Sequence, residues 1–468
     1  MKPVLLIDFG STYTKLTAVD VDEPRLLGTA SSFTTIQTDI NDGLQKGLTQ
    51  LEQITGKLDY AARYACSSAA GGLRMMACGL VPELTSEAAR MASLGAGAKI
   101  IGLYSYQLTE DDLEEIQAAS PDIFLLVGGT DGGNTANILH NAKMLAELKP
   151  AFPIIVAGNR TAARGCAKAL EGYEVYVCEN VMPKFGVVNI EPTQKKIREI
   201  FLGRIVQAKG LQQAAAQMDG EMMPTPAAVL SALELLSQGH EDERGIGELM
   251  AVDVGGATTD VYSIADGMPE GMNTVYKGLP EPFAKRTVEG DIGMRYSIRG
   301  IVEDAGVKKI AALSGLTAER VEELVNYLAS HTDVVPEENT ELEALDRALA
   351  SMAVRAGAKR HAGTMEETYT MMGLTFVQAG KNLTRIQNIV VTGGSLIHTR
   401  KTEAIASYGL YSPEDPGSLR PKDAKIWVDR RYILAAMGLL SQTNPRAALQ
   451  IMKKELETNG PSEQENSR

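Results

Sequence analysis

Positive charge is scarce in this chain: Lys and Arg total 46 against 59 Asp and Glu, a formal net charge of −13. No basic stripe interleaved with aromatics runs through it, and binding a phosphate backbone needs one, so nucleic acid and anionic membranes are excluded as main partners. Long apolar runs are also missing. None approaches the roughly 20 residues of a membrane span. The N-terminal apolar run at 4–7 is too short for a signal peptide and begins a motif of its own. Cysteine is rare: Cys66, Cys78, Cys166 and Cys178 form no C-x-x-C pair, although both successive pairs are separated by eleven residues. That usage fits a reducing compartment, and a cytoplasmic location is expected. What remains is ordinary globular composition, 44% hydrophobic and 22% charged over 468 residues, enough for two or three domains with substantial cores.

The most informative stretch is 248–262, ELMAVDVGGATTDVY. It reads as strand, glycine turn, strand. The run at 249–254 is apolar and rich in β-formers, and Gly255-Gly256 adopts angles a side chain would forbid, turning backbone N–H groups toward an anion. Asp253 and Asp260 bracket the turn. A carboxylate beside bound phosphates makes sense chiefly with a hard divalent cation between them, which implies a Mg2+ nucleotide. A second version stands at the N-terminus. There the run at 4–7 enters Asp8-Phe9-Gly10-Ser11-Thr12-Tyr13-Thr14-Lys15, about 245 residues earlier. The repetition predicts two homologous halves facing each other across one nucleotide. A third glycine turn, Gly393-Gly394-Ser395, follows a strand at 388–392 and leads into a helix, where close backbone approach suits a flat adenosine.

In order and spacing these three motifs resemble the phosphate-1, phosphate-2 and adenosine motifs of the actin/Hsp70/sugar-kinase superfamily. DFGSTYTK is closer to the form found in ATP-dependent activators of radical and dehydratase enzymes than to the kinase or actin forms. Over nearly its whole length the chain resembles the accessory-protein family of adenosylcobalamin-dependent glutamate (methylaspartate) mutase, which shares an abbreviation with an unrelated mismatch-repair ATPase. The resemblance implies an α/β fold. Two ribonuclease-H-like ATPase halves would surround a nucleotide cleft, and a doubly wound α/β domain would be inserted into the first half.

Patterning along the chain agrees. Strands at 4–7, 13–20, 25–33 and 61–66 with a helix at 42–54 open the first half, taken as residues 1–70 and 186–245. Between 71 and 185, helices at 86–94, 110–118, 134–148 and 161–170 alternate with strands at 99–104, 123–127, 154–156 and 174–178, as in a parallel sheet. Helices are expected at 191–209 and 226–237, then a linker at 239–247. The second half, 246–454, repeats the strand-rich start and then turns helical, with a helix opening at Gly290-Asp291-Ile292-Gly293. From 455 the tail is polar and expected to be disordered.

Asp8 and Asp253 are the candidate catalytic acids, organising Mg2+ and the attacking water. Asp260 is a further candidate metal contact. Gly10, Ser11, Thr12, Gly255, Gly256, Thr258 and Thr259 are expected to bind phosphate, with Lys15 as a point charge, and Gly393, Gly394 and Ser395 to bind the nucleoside. Thr14 and Thr17 read as strand residues. Ala257 stands where Gly is commoner and keeps the backbone slightly further from the ligand. The loop Gly128-Gly129-Thr130-Asp131-Gly132-Gly133 sits at a strand's C-terminal end, the usual place for a ligand in such a sheet. It is equally a tight turn needing free backbone. The Asp-x-His-x-x-Gly signature that binds cobalamin through histidine is absent, and His140 reads as a helix-face residue. The four thiols read as buried structural groups.

The resemblance implies a chaperone that uses ATP and ADP with Mg2+ to free damaged cobalamin from mutase subunits. The alternatives are an iron–sulfur ATPase that activates a radical dehydratase, a small-molecule kinase, and an actin-like filament.

Overall fold

The computed structural model describes residues 1–10, 13–34, 40–68, 73–148, 152–208, 214–271, 273–371, 373–399 and 401–458. The chain forms two compact units. One comprises Met1–Ala232, Gly278–Pro282 and Ala435–Ile451; the other comprises Leu233–Lys277, Phe283–Leu434 and the chain from Met452.

In the first unit the strands are β1 (Pro3–Phe9), β2 (Tyr13–Asp20), β3 (Arg25–Phe33), β4 (Ala62–Ser67), β5 (Arg74–Gly79), β6 (Lys99–Ser105), β7 (Ile123–Leu126), β8 (Ile154–Val156), β9 (Val175–Val177) and β10 (Met223–Pro224). Five of them make a sheet in the order β10-β4-β1-β2-β3. β1 runs antiparallel to β2 and β2 to β3, whereas β1/β4 and β4/β10 are parallel. All seven residues of β1 are buried, as a central strand covered on both faces demands.

β5 to β9 form a separate, wholly parallel sheet in the order β6-β5-β7-β8-β9, inserted in the chain between β4 and β10. β7 shows why it is doubly wound. Ile123 and Leu125 pack with helices Glu87–Gly95 and Glu191–Ala208, while Phe124 and Leu126 pack on the other face, against helices Glu110–Ala119, Ala136–Leu145 and Arg160–Ala169. The central strand β5 was not evident in the sequence. Its residues, Arg-Met-Met-Ala-Cys-Gly, include neither a β-branched nor an aromatic side chain, so only tertiary burial marks it as strand.

The second unit contains β11 (Gly239–His240), β12 (Glu243–Arg244), β13 (Leu249–Val254), β14 (Thr259–Ile264), β15 (Thr274–Lys277), β16 (Ala284–Glu289), β17 (Thr364–Thr370), β18 (Gly373–Ala379), β19 (Asn388–Thr392), β20 (Lys425–Val428) and β21 (Glu457–Thr458). Its main sheet has the order β16-β14-β13-β19-β20-β21. β13/β14 and β14/β16 are antiparallel, and β13/β19 and β19/β20 parallel. Its first five strands repeat the plan of β1, β2, β3, β4 and β10. The chain therefore carries the ribonuclease-H-like sheet twice, and the expected α/β fold class is observed.

Several details depart from the sequence reading. The 239–247 stretch holds the small β11/β12 hairpin. Gly290–Gly293 forms a loop, and the helix begins only at Ile298. Glu457 and Thr458 pair with β20 as an added edge strand; residues 459–468 lie outside the described set. β15, β18 and β17 make a small three-stranded sheet of their own. Among the described residues no helix is long and apolar enough to cross a membrane.

The glycine-rich loop after β7 has a geometric explanation. Gly128, Gly129 and Gly132 have φ of 147°, 73° and 76°. A Cβ at Gly133 would stand 2.7 Å from the Thr130 hydroxyl oxygen. Positive φ thus favours glycine at three of the four positions. Fully buried Asn159 is its scaffold. Its Oδ1 accepts from the Gly132 and Thr161 amides, and its Nδ2 donates to the Gly133 and Asn134 carbonyls. Asn159→Ala leaves those groups without their partner, a loss of about 1–3 kcal/mol for each that stays buried. Hydrogen exchange is expected to quicken at residues 131–134 and at the start of helix Arg160–Ala169. Unchanged protection there would contradict the scaffold.

Candidate functional site

In the first unit the strand register assembles the site. Asp8 lies opposite Lys15 on β2 and beside Cys66 on β4. Its side chain is 8% exposed, and Lys15 Nζ approaches Asp8 Oδ2 at 3.8 Å. The Thr225 hydroxyl donates to Asp8 Oδ1 at 2.6 Å, and the Cys66 thiol reaches the same oxygen at 3.5 Å. Thr225 begins helix Thr225–Gln238, 217 positions from Asp8, and nothing local in the sequence signals the pairing. The turn is closed by the Gly10 amide donating to the Tyr13 carbonyl at 3.1 Å. A Cβ on Gly10 would sit 2.5 Å from that oxygen, so the position needs glycine. Ser11 and Thr12 lie outside the described residues.

The second unit repeats this closure: the Gly255 amide donates to the Thr258 carbonyl at 2.9 Å. Asp253 stands opposite Asp260, as Asp8 stands opposite Lys15. The two motifs thus correspond residue by residue, with one charge inverted. Two carboxylates facing each other across a ladder repel, and the compensating charge comes from Arg286 on β16. Arg286 Nε and Nη2 donate to Asp260 Oδ1 at 2.8 and 2.6 Å, and the Thr258 hydroxyl donates to Oδ2 at 3.4 Å. Burial opposes the Arg286 cation, but Asp260 and Tyr262 more than offset it, and the net shift of its pKa is upward.

Two candidates have surroundings that the sequence did not show. Asp260, expected as a metal contact, is paired through Oδ1 with Arg286, a cation built in beside it. Thr259, expected to donate its hydroxyl to phosphate, is fully buried and turned toward helix Glu341–His361, where a Cβ on Gly357 would lie 3.2 Å from its methyl. Strand alternation sends Thr259 inward and Asp260 to the opposite face. Gly256 remains exposed at the turn.

The third turn packs on the second. Gly393 has φ of 100°, and a Cβ there would lie 2.4 Å from the Val254 carbonyl oxygen, the residue just before Gly255. Gly394 faces open space. Asp253, Gly255, Gly256, Gly393, Gly394 and Ser395 are therefore brought to the ends of two adjacent parallel strands, the place where such sheets present ligand sites.

Among the described residues no group of three or more His, Cys, Asp or Glu side chains could hold a metal by itself. Asp8 and Asp253 each stand beside a glycine turn, and a single carboxylate can hold Mg2+ when phosphate oxygens and water supply its other ligands.

Residues 4–456 match the MutL protein family. A relative from Clostridium tetanomorphum, "Protein MutL", is 46% identical over 460 residues, covering 97% of this chain and 99% of its own length. This chain belongs to the MutL protein family. It is not the mismatch-repair protein of the same abbreviation. Among solved structures this MutL-family chain is similar to a diol dehydratase-reactivating factor in nucleotide-free form, at 12% identity and a TM-score of 0.35, covering 95% of this chain and 100% of the other. It is also similar to the activator of 2-hydroxyisocaproyl-CoA dehydratase from Clostridium difficile with bound ADPNP, at 10% identity and a TM-score of 0.34, with 97% and 98% covered. The duplicated sheet is shown by this chain's own strand order.

The thiols of the MutL-family chain are all free; Cys66, Cys78 and Cys166 are buried and Cys178 half-buried. Cys78 and Cys166 belong to one apolar core, and Cys178 packs on the other face of the inserted sheet. Burial pushes Cys78 up to about 12 and Cys166 up to about 11, and raises Cys66 and Cys178 as well. Thiolate is the reactive species, so these groups are inert at neutral pH. Iodoacetamide at roughly neutral pH is expected to label at most Cys178 in the native protein, and all four thiols in denaturant. Rapid native labelling of Cys66 or Cys78 would contradict this packing.

Proposed function

We propose that this protein is an ATP-dependent accessory chaperone that reactivates an adenosylcobalamin-dependent amino-acid mutase of the glutamate mutase type. The observation that carries the reading is the duplicated turn. Asp8-Phe9-Gly10 and Asp253-Val254-Gly255 end equivalent strands of equivalent sheets and are closed by the same backbone hydrogen bond. Each turn offers a carboxylate beside glycine backbone, the chemistry that a Mg2+ nucleotide requires. The third turn, open at Gly394, takes the nucleoside.

Bound Mg2+ neutralises phosphate charge; the chain's own residues do the positioning. Thr225 and Cys66 fix the Asp8 carboxylate, and Arg286 removes the Asp253–Asp260 repulsion. The partner reading follows from the chemistry of the mutase. A mutase that loses its adenosyl group is left with an inactive corrin it binds tightly. An ATPase helps only if its nucleotide states differ in affinity for the opened mutase, since a ligand shifts an equilibrium by no more than its differential affinity.

The inserted sheet offers the contact. Tyr106, Phe185 and Val187, 59%, 77% and 48% exposed, stand on loops leaving the C-terminal ends of β6 and β9. Mg2+-ATP at a hundredfold excess over Kd is expected to stabilise the protein by about 2.7 kcal/mol. Sedimentation with mutase subunits should show a complex in one nucleotide state and not the other. Phe185→Asp should weaken that complex and leave the ATP-induced stabilisation intact. No thermal shift with millimolar ATP contradicts the nucleotide reading, and no complex in either state contradicts the partner reading.

A further inference from the structure

Arg295 and Asp346 lie behind the second and third turns and belong to none of the motifs. The Gly255 and Gly256 carbonyls point away from the open side of their turn. The Gly255 carbonyl accepts from the Met294 amide at 3.0 Å, and the Gly256 carbonyl accepts from the Arg295 and Tyr296 amides at 2.8 and 2.9 Å. Contact is backbone on backbone, for a Cβ on Gly293 would be 2.4 Å from the Ala257 carbonyl carbon. The segment under the turn is held by its own side chains. Arg295 Nη1 donates to Asp346 Oδ1 at 2.8 Å and to the Met294 carbonyl at 2.6 Å, while Nη2 donates to the Val334 carbonyl at 3.1 Å.

Asp346 projects from helix Glu341–His361, which packs against helix Gly394–Ile397 at the third turn. Arg295 therefore ties the second turn to the helix on which the third turn rests, parallel to the direct packing of Gly393 on Val254. The same helix grips the start of the loop, where Arg360 donates to Glu289 and Asp291 at 3.0 and 2.8 Å.

The Arg295 and Asp346 side chains are 12% and 14% exposed. An ion pair that buried is a poor source of net stability, since desolvation offsets its attraction. Its planar, many-toothed geometry is instead suited to fixing direction. We infer that Arg295 and Asp346 are positioning residues that hold the second phosphate turn and the nucleoside turn in one binding-competent register. This deepens the nucleotide reading and rests on it. Neither residue is part of a turn; each acts through the turn it braces.

The test is steady-state ATP hydrolysis and fluorescent-ATP binding by the full chain carrying Arg295→Lys, Asp346→Asn, or both. Arg295→Lys keeps the charge and loses the fork; Asp346→Asn keeps the shape and loses the charge. The expected result is a rise of tenfold or more in Kd and KM for ATP, faster nucleotide release, and kcat within about threefold of the parent. The double variant should be no worse than the weaker single one, because both break one ion pair. A merely structural pair would lower the melting temperature while folded molecules kept the parental KM, and that outcome overturns the inference. If Asp346→Asn does not fold, Arg295→Lys carries the test alone, and an unchanged KM for ATP there also overturns it. A parent that binds no ATP removes the nucleotide reading and the inference together, and is told apart by the parent's own titration.

Discussion

Asp8→Asn is expected to slow ATP turnover by about a hundredfold or more, the scale of removing one preorganised electrostatic contact from a transition state, while folding stability changes by less than about 1 kcal/mol. The separation follows from what Asp8 touches. Its Oδ1 accepts from the Thr225 hydroxyl and the Cys66 thiol, and the carbonyl oxygen of Asn accepts from both. The substitution breaks only the ion pair with Lys15, 27% exposed and 3.8 Å away, a distance and exposure at which such pairs contribute little. Asp253→Asn should behave alike. The fall should appear in kcat and kcat/KM together, because the charge matters most where phosphate charge is redistributed. Parental turnover in both variants would remove these acids from the proposed chemistry.

Arg286→Met is expected to destabilise the second unit by about 3–5 kcal/mol, the cost of breaking a buried ion pair by deleting one partner. Arg286 is 4% exposed and Asp260 15%, and two guanidinium nitrogens converge on one carboxylate oxygen. Without the cation, Asp260 faces Asp253 uncompensated, and Tyr262, whose phenol burial already holds well above its ordinary pKa, loses its neighbour. Asp260→Asn alone should also be costly, since it strands the guanidinium. The double variant should be less unstable than the sum of the singles, the mark of a coupled pair. Urea unfolding followed by fluorescence and circular dichroism measures all three. Single losses under about 1 kcal/mol would show that the pair behaves as a solvent-screened one and would contradict its buried role.

Much of this arrangement was legible in the chain. β1, β13 and β19 are short runs of Val, Leu and Ile ending in Asp-x-Gly or Gly-Gly, where local propensity, burial and turn chemistry agree. The alternation of strand and helix between 99 and 177 likewise exposed the inserted parallel sheet. What stayed hidden depends on distant partners. β5 has no β-forming side chain and owes its place to neighbours on both sides. Arg286 sits in Ala-Lys-Arg-Thr-Val-Glu, where Lys285, Arg286 and Thr287 are buried although two of them are cations; only the register with Tyr262 shows that Arg286 reaches Asp260. One clue was available. Aligning Asp8–Gly10–Lys15 on Asp253–Gly255–Asp260 exposes the inverted charge and so the need for a cation nearby. The glycine loop after β7 was open to two readings, and positive φ at Gly128, Gly129 and Gly132 shows that the turn itself uses glycine.

The inserted sheet also bears on how the partner contact is tested. Ile197, Ile200 and Phe201 of helix Glu191–Ala208 share its apolar core, so excising the sheet would uncover them, and surface variants such as Phe185→Asp are the cleaner probe.

The central claim is that nucleotide binding at the duplicated turns drives release of damaged cofactor from a mutase. Its most direct test is recovery of activity by mutase blocked with cyanocobalamin, incubated with this protein, Mg2+ and fresh adenosylcobalamin, with ATP present or omitted. The account predicts recovery with ATP, little without it, and little with Asp8→Asn under either condition. Recovery that proceeds equally well without ATP, or none at all from a mixture in which ATP-dependent complex formation has been demonstrated, would contradict it.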